Sequence, residues 1–201
     1  MDFMQIFTLV TGVIYIILEI RQKNLMWLVG IATSLAAMWV FFRQGLYASF
    51  GLNTYYLVTA FIGLWQWGKD RQRLGTARSR KSRSSKKKPA PSIHLNRLSW
   101  QTVLVSLLVM IAGTYGMAQL MELLENPMSY LDSAVTVMSV VATWWLVRAY
   151  IQQWWIWLVA DALSTVLCVS QEMWMMAVLY GAYSLSAIYG YIHWKRHGQY
   201  I

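Results

Sequence analysis

Two tryptophans and a carboxylate share one face of a predicted membrane helix. Trp154, Trp157 and Asp161 lie in the apolar run YIQQWWIWLVADALSTVLCVSQE (150–172), and spacings of three and four residues place them on one side of an α-helix. A carboxylate inside a membrane segment is energetically costly, so it is kept where it meets water, a partner group or a cation. The neighbouring indole rings offer flat π-surfaces to a cation. This face therefore predicts a binding site for a cationic aromatic compound.

Further polar side chains at membrane depth extend this candidate site. Asn53 and Tyr56 lie three residues apart on one face of the third predicted helix, and Gln171 closes the sixth helix at its outer end. An asparagine in a membrane helix serves equally well in a helix–helix hydrogen bond, so both roles stay open for Asn53 and Tyr56. Gln171 either gates the outer opening or only solvates the end of its helix.

Composition identifies the chain as a membrane protein. Of its 201 residues, 58% are hydrophobic and 12% are charged, a balance more apolar than a soluble domain of this size requires. Seven segments approach the roughly 17–25 residues that cross a bilayer. They lie near 3–20, 25–42, 46–67, 101–122, 132–150, 154–171 and 174–194. The fold class predicted is an all-α membrane protein with seven transmembrane helices.

The basic residues set the orientation. Lys and Arg concentrate in alternate loops, so the positive-inside rule places the N-terminus outside and the C-terminus in the cytoplasm of a bacterial inner membrane. The net charge of +9 then reflects topology. The stretch GKDRQRLGTARSRKSRSSKKKPAPS (68–92) lies between membrane segments and lacks interleaved aromatic residues. We predict a disordered cytoplasmic linker that contacts anionic membrane lipid and does not bind nucleic acid.

An internal repeat is visible when the chain is compared with itself. Residues 22–34 match 152–164 at an offset of 130, and residues 44–67 match 171–194 at an offset of 127. This pattern predicts a first three-helix repeat (1–67), a basic linker (68–99), a linker transmembrane helix (100–122) and a second repeat with a cytoplasmic tail (132–201). Because the linker helix crosses the membrane once, the two repeats would be parallel. They would meet around a substrate site at the bilayer midplane.

Two segments of the sequence resemble the PnuC vitamin transporters. DSAVTVMSVVATWWLVRAYIQQWWIWLVADALS (132–164) is similar to the signature region of that family, with Asp132-Ser133, Arg148-x-Tyr150 and Trp154-x-x-Trp157 followed four residues later by a polar residue. LYASFGLNTYYLVTAFIGLWQW (46–67) resembles its third helix. The likeness covers the chain apart from the basic linker, and the tryptophan motif is its most specific part.

The resemblance implies a three-one-three arrangement of seven helices, related to the SWEET sugar carriers and assembled as a homotrimer. It also implies facilitated diffusion of an unphosphorylated vitamin, usually nicotinamide riboside, which a cytosolic kinase then traps. Asp161 stands where family members carry Asn. An ionised carboxylate suits the pyridinium of nicotinamide riboside and the thiazolium and aminopyrimidine of thiamine alike, so nicotinamide riboside stays first, as the usual substrate of the family, and thiamine is the alternative. A neutral sugar gains nothing from a buried charge, which makes a SWEET-like sugar carrier the weaker alternative.

Several other functions lack the residues they need. A hydrolase would need paired carboxylates, a Ser/His pair or a metal cluster at membrane depth, whereas His94, His193 and His197 fall in the linker or at the cytoplasmic end. The segment 174–194 contains no lysine for a retinal Schiff base, and no Gly-rich phosphate loop follows a strand. We therefore expect no enzymatic activity, no cofactor and no metal. A membrane receptor that does not transport stays open.

Overall fold

The computed structural model describes residues 3–43, 47–81, 93–123 and 130–200, and these residues form seven α-helices and two short strands. The helices are α1 (Phe3–Ile20), α2 (Leu25–Arg43), α3 (Tyr47–Lys81), α4 (Trp100–Leu123), α5 (Tyr130–Val147), α6 (Gln153–Ser170) and α7 (Trp174–His197). The strands are β1 (Ile93–Leu95) and β2 (Gly198–Tyr200). The predicted seven-helix membrane fold class is confirmed.

Three of the described helices are long and apolar enough to cross a bilayer, namely α4, α5 and α6. Helix α2 contributes a shorter apolar stretch, Leu25–Trp39. Helix α4 exposes large apolar side chains such as Leu108 and Ile111 along much of its length, as expected of a helix that faces lipid. The remaining crossings stay predictions from the sequence.

The chain divides into two compact units. Unit 1 contains residues 1–96, 146–149 and 193–201, and unit 2 contains residues 97–145 and 150–192. Helix α4 therefore belongs to the same unit as most of α5, α6 and α7. The turn after α5 and the C-terminal segment pack with the first three helices in unit 1. The predicted domain bounds and the parallel arrangement of the repeats stay predictions.

Helix α3 continues past the predicted membrane segment 46–67 to Lys81. Its extension is rich in Lys and Arg and contains no proline, so it can continue the helix without a break. Asp70 and Arg73 lie one turn apart there, with 4.0 Å between Oδ1 and Nη1. The prediction that the linker is disordered is thus wrong for residues 68–81, and residues 82–92 lie outside the described part of the chain.

The linker also ends in a defined structure. Strand β1 pairs in parallel with β2, with Ile93 opposite Gly198, His94 opposite Gln199 and Leu95 opposite Tyr200. All three side chains of β1 are buried. Burial stabilises this strand at the end of the polar linker, because it removes the side chains of Ile93 and Leu95 from water.

The helix bounds repeat along the chain at an offset of 127 in residue number. Helices α1 and α5 begin and end at this offset, and the starts of α3 and α7 are related in the same way. The turns after α1 and α5 each carry a residue in the left-handed conformation, Gln22 (φ 48°) and Ala149 (φ 54°), which lets the chain reverse directly into the next helix. The offset pairs Trp27 with Trp154. The sequence match at an offset of 130, which paired Trp27 with Trp157, is therefore out of register.

Candidate functional site

Helix α6 carries the predicted tryptophan motif on a packed face of unit 2. Trp154 is 3% exposed, and its indole lies directly against Gly190 of α7. A Cβ built at Gly190 would come within 2.6 Å of the ring, so only glycine lets the two helices approach this closely. The same arrangement recurs in unit 1, where a Cβ at Gly63 would lie 2.5 Å from the ring of Trp27.

Trp157 lies one turn further along α6 and is half-buried. Its ring packs against an apolar cluster of unit 2 formed by Val141, Ala142, Trp145 and Ile156. Its Nε1 has no hydrogen-bond partner among the described residues. A buried N–H without an acceptor is energetically unfavourable, so this indole can donate to a polar atom of a bound molecule.

Asp161 follows on the same face and is 8% exposed. In the described part of the chain, no Lys, Arg or His forms an ion pair with its carboxylate. The phenols of Tyr180 and Tyr183 on α7 lie close enough to interact with it electrostatically, and their ring centroids are 6.1 Å apart in a T-shaped arrangement. Unit 2 thus groups a carboxylate with aromatic side chains from two helices.

The sequence reasoning missed Tyr180 and Tyr183, although a signal for them existed. They are the counterparts, at the offset of 127, of Asn53 and Tyr56, the positions chosen on the third helix. The offset applied to that pair would have identified both tyrosines. An isolated phenol in an apolar helix is otherwise indistinguishable from a packing residue, because its body is apolar and its single hydroxyl needs only one partner.

Asn53 and Tyr56 lie on α3 in unit 1, and both are half-buried. The ring of Tyr56 lies 5.7 Å from that of Tyr55, measured between centroids, and its phenol interacts electrostatically with Tyr15 of α1. These contacts belong to unit 1, whereas the α6 residues belong to unit 2. A joint site of Asn53 and Tyr56 with the α6 residues stays a prediction.

Gln171 is the C-cap of α6 and is exposed. Its backbone N–H donates to Leu167 O at 3.1 Å, and the next residue, Glu172, takes the left-handed conformation that ends the helix. Ten residues of helix separate Gln171 from Asp161, about 15 Å along the axis at about 1.5 Å per residue. The structure therefore places Gln171 at the helix end, apart from the tryptophans and Asp161.

The described residues contain no group of three or more His, Cys, Asp and Glu side chains that could hold a metal ion. Around Asp161, the described residues offer a carboxylate, aromatic faces and donors of single hydrogen bonds. Such a set suits a flat ring that carries a positive charge.

Comparison with known proteins indicates the family of the chain. A family model described as nicotinamide mononucleotide transporter matches residues 2–196. The nicotinamide riboside transporter PnuC of Haemophilus influenzae is 23% identical over 188 residues, which cover 93% of this chain and 76% of that protein. The transporter of the same name from Neisseria mucosa is 25% identical over 205 residues, with coverage of 94% and 72%.

A solved structure has the same fold. It is described as the crystal structure of the vitamin B3 transporter PnuC, and it matches with a TM-score of 0.67 and 22% sequence identity. The match covers 94% of this chain and 81% of that chain. The chain therefore shares the fold of that transporter.

Proposed function

The chain belongs to the nicotinamide mononucleotide transporter family, and from this membership we propose that it imports an unphosphorylated cationic vitamin, nicotinamide riboside, by facilitated diffusion across the bacterial inner membrane. As a member of this family it is a multi-pass membrane transporter and not an enzyme. The observation that carries the choice of a cation is the buried Asp161, which lies beside aromatic side chains of α6 and α7 and has no cationic partner among the described residues.

The distribution of basic residues supports a substrate without phosphate. None of the seven predicted membrane segments contains a lysine, and the arginines that fall in or beside them, such as Arg43 and Arg148, lie at segment ends. A phosphate ester carries nearly two negative charges and is bound in proteins chiefly by Arg, Lys or helix N-termini. Asp161 would repel it at membrane depth. Nicotinamide riboside lacks the phosphate and keeps the positive ring.

Five of the six candidate residues, all except Gln171, have a defined task in this proposal. Trp154 and Trp157 stack on the pyridinium ring, and Asp161 balances its charge. Asn53 and Tyr56 hydrogen-bond the ribose and the carboxamide from the other three-helix repeat. Entry and exit then alternate between the two sides of the membrane, since a carrier exposes its central site to one side at a time.

Titration of the purified protein with nicotinamide riboside tests this proposal. A heteroaromatic ring stacked on Trp154 or Trp157 should quench tryptophan fluorescence, and each Trp→Ala change should cost about 1–3 kcal/mol of binding energy. Trp100→Phe, at an exposed position on α4, is the matched control and should leave binding unchanged. Full quenching in the Trp154→Ala, Trp157→Ala double variant would place the site elsewhere.

Thiamine is the second candidate, and Asp161 is the observation that favours it. A carboxylate accepts hydrogen bonds but cannot donate them, so it suits the exocyclic amine of the aminopyrimidine as well as the thiazolium charge. Competition of thiamine against labelled nicotinamide riboside, in binding and in liposome uptake, separates the two. Displacement by thiamine at lower concentration than by unlabelled nicotinamide riboside would reverse their order.

The proposal includes the surroundings of the carrier. The N-terminus lies outside and the C-terminus in the cytoplasm, the carrier assembles as a homotrimer, and a cytosolic kinase phosphorylates the vitamin so that it cannot return. A membrane-impermeant reagent should label an added C-terminal cysteine only in inside-out vesicles. Mass measurement in detergent should give three copies of the 23.3 kDa chain.

A further inference from the structure

The end of the basic linker is fastened to the turn after α1. We define the strap as residues 93–96, that is, β1 and Asn96. The side chain of Gln22 holds the backbone of His94 through two hydrogen bonds: Nε2 donates to His94 O at 2.9 Å, and Oε1 accepts from His94 N at 2.8 Å. The guanidinium of Arg71 on α3 binds the carbonyl oxygen of Gln22 in turn.

The strap is also fastened to the turn after α5. The backbone N–H of Asn96 donates to Ala149 O at 3.2 Å, and its side-chain Nδ2 donates to Arg148 O at 2.8 Å. Gln22 and Ala149 are the left-handed residues of the two equivalent turns. One short segment therefore ties these turns together, and its pairing with β2 attaches it to the end of α7 as well.

Two buried tryptophans connect the same helix ends in a reciprocal manner. Trp67 on α3 donates from Nε1 to Leu146 O at 3.2 Å, and Trp194 on α7 donates to Ile20 O at 2.9 Å. Their ring centroids are 6.4 Å apart. The ends of α1, α5 and α7 thus meet in unit 1 around these buried tryptophans, and the strap contacts them through His94, whose ring centroid lies 5.5 Å from that of Trp67.

We propose that the strap is an inner latch, which in this state keeps the cytoplasmic ends of α1, α5 and α7 together and which must release for the vitamin to leave into the cytosol. The inference rests on the proposed function, because only a carrier has to open at this end. Four hydrogen bonds join the strap to the two turns. So few hydrogen bonds can break and reform during each transport cycle.

A buried strap cysteine measures release directly. Leu95→Cys in a Cys168→Ser background places the only thiol on β1, where Leu95 is 1% exposed. Inside-out vesicles are treated with a membrane-impermeant maleimide. Gln22→Ala removes two buried hydrogen bonds of the strap and should speed labelling by about fivefold to tenfold. Asn96→Ala removes the exposed side-chain bond to Arg148 O and should speed it less. Gln199→Ala, an exposed amide on β2, is the matched control and should leave the rate unchanged.

Labelling during transport decides between a latch and a permanent clamp. In the same vesicles with otherwise native residues, nicotinamide riboside at a saturating gradient should raise the labelling rate, because each cycle releases the strap. An unchanged rate while the vitamin is being carried would overturn the proposal. The labelling rates of the strap variants are compared without vitamin, so they can be interpreted even if the substrate assignment is wrong.

A covalent lock provides the second measurement. Gln22→Cys combined with His94→Cys, again with Cys168→Ser, allows the strap to be joined to the turn by oxidation or by a short thiol cross-linker. The locked protein should still bind vitamin, as read by tryptophan quenching, but should lose at least tenfold in uptake until reductant is added. Uptake at the unlocked rate in the fully cross-linked protein would also overturn the proposal.

Discussion

At the residue scale, the proposed site predicts that Asp161 selects for a cationic substrate. Its buried carboxylate has Tyr180 and Tyr183 nearby and no ion-pair partner in the described chain. Asp161→Asn should weaken binding of nicotinamide riboside by about 1–3 kcal/mol, the usual value of a charge-assisted contact. Binding of the uncharged dihydronicotinamide riboside should change much less. Isothermal titration of both compounds tests the assignment, and equal losses for the two would contradict it.

Gly190 is the second residue with a testable role, because it receives the ring of Trp154. Gly190→Ala brings a methyl group within 2.6 Å of the indole, and such overpacking should cost about 1–3 kcal/mol of stability. It should also move Trp154 and reduce substrate quenching. Gly181→Ala, on the same helix but with nothing within 4 Å of the added Cβ, should be neutral or slightly stabilising. Thermal unfolding in detergent compares the two, and matching midpoints would contradict the packing argument.

At the scale of the elements, the burial of His94 in the strap predicts a pH-dependent stability. His94 is fully buried, and burial, with Arg71 nearby, lowers its pKa from 6.5 to about 4. Its Nε2 lies 3.7 Å from Oδ2 of Asp70. Between these two pKa values the unfolded chain binds a proton that the folded chain does not, so the contribution of His94 to stability falls as the pH falls from 6.5 towards 4.

At pH 5 the expected loss of folding free energy from His94 is about 2 kcal/mol, calculated from about 1.36 kcal/mol per pKa unit. Burial raises the pKa of Asp70, so its contribution has the opposite sign and is gained as the pH falls. His94→Gln removes the loss of stability that His94 causes at low pH and leaves the gain from Asp70. Unfolding midpoints measured at pH 7.5 and pH 5 should therefore fall more for the unaltered chain than for His94→Gln. Identical slopes would show that His94 does not titrate as its burial requires.

At the scale of the whole molecule, the scarcity of titratable groups predicts uniport. Proton-coupled carriers build relays of several such groups through the membrane, whereas the predicted segments hold one deep carboxylate, Asp161, and no histidine at midplane depth. In sealed liposomes, labelled nicotinamide riboside should equilibrate in both directions without a pH or sodium gradient. A kinase and ATP trapped inside should convert this equilibration into accumulation. Accumulation driven by a proton gradient alone would make Asp161 a proton site.

The sequence by itself determined the helical fold class and which side chains of α6 share one face. Long apolar runs leave the backbone no partner in a membrane except itself, so each run becomes a helix. Within one helix, spacings of three and four residues fix which side chains share a face. Trp154, Trp157 and Asp161 could therefore be grouped without tertiary information, and the family resemblance rests on the same local motif.

Only the tertiary structure decided what depends on residues far apart in the chain. The contact of Trp154 with Gly190, and the bonds of the strap to Gln22 and Ala149, join positions on different elements that no local spacing relates. The strap has too few residues to signal a strand by pattern, and it exists because other elements bury it. The choice between the offsets of 127 and 130 likewise came from helix bounds and turn geometry, since apolar sequence matches itself by chance at more than one offset.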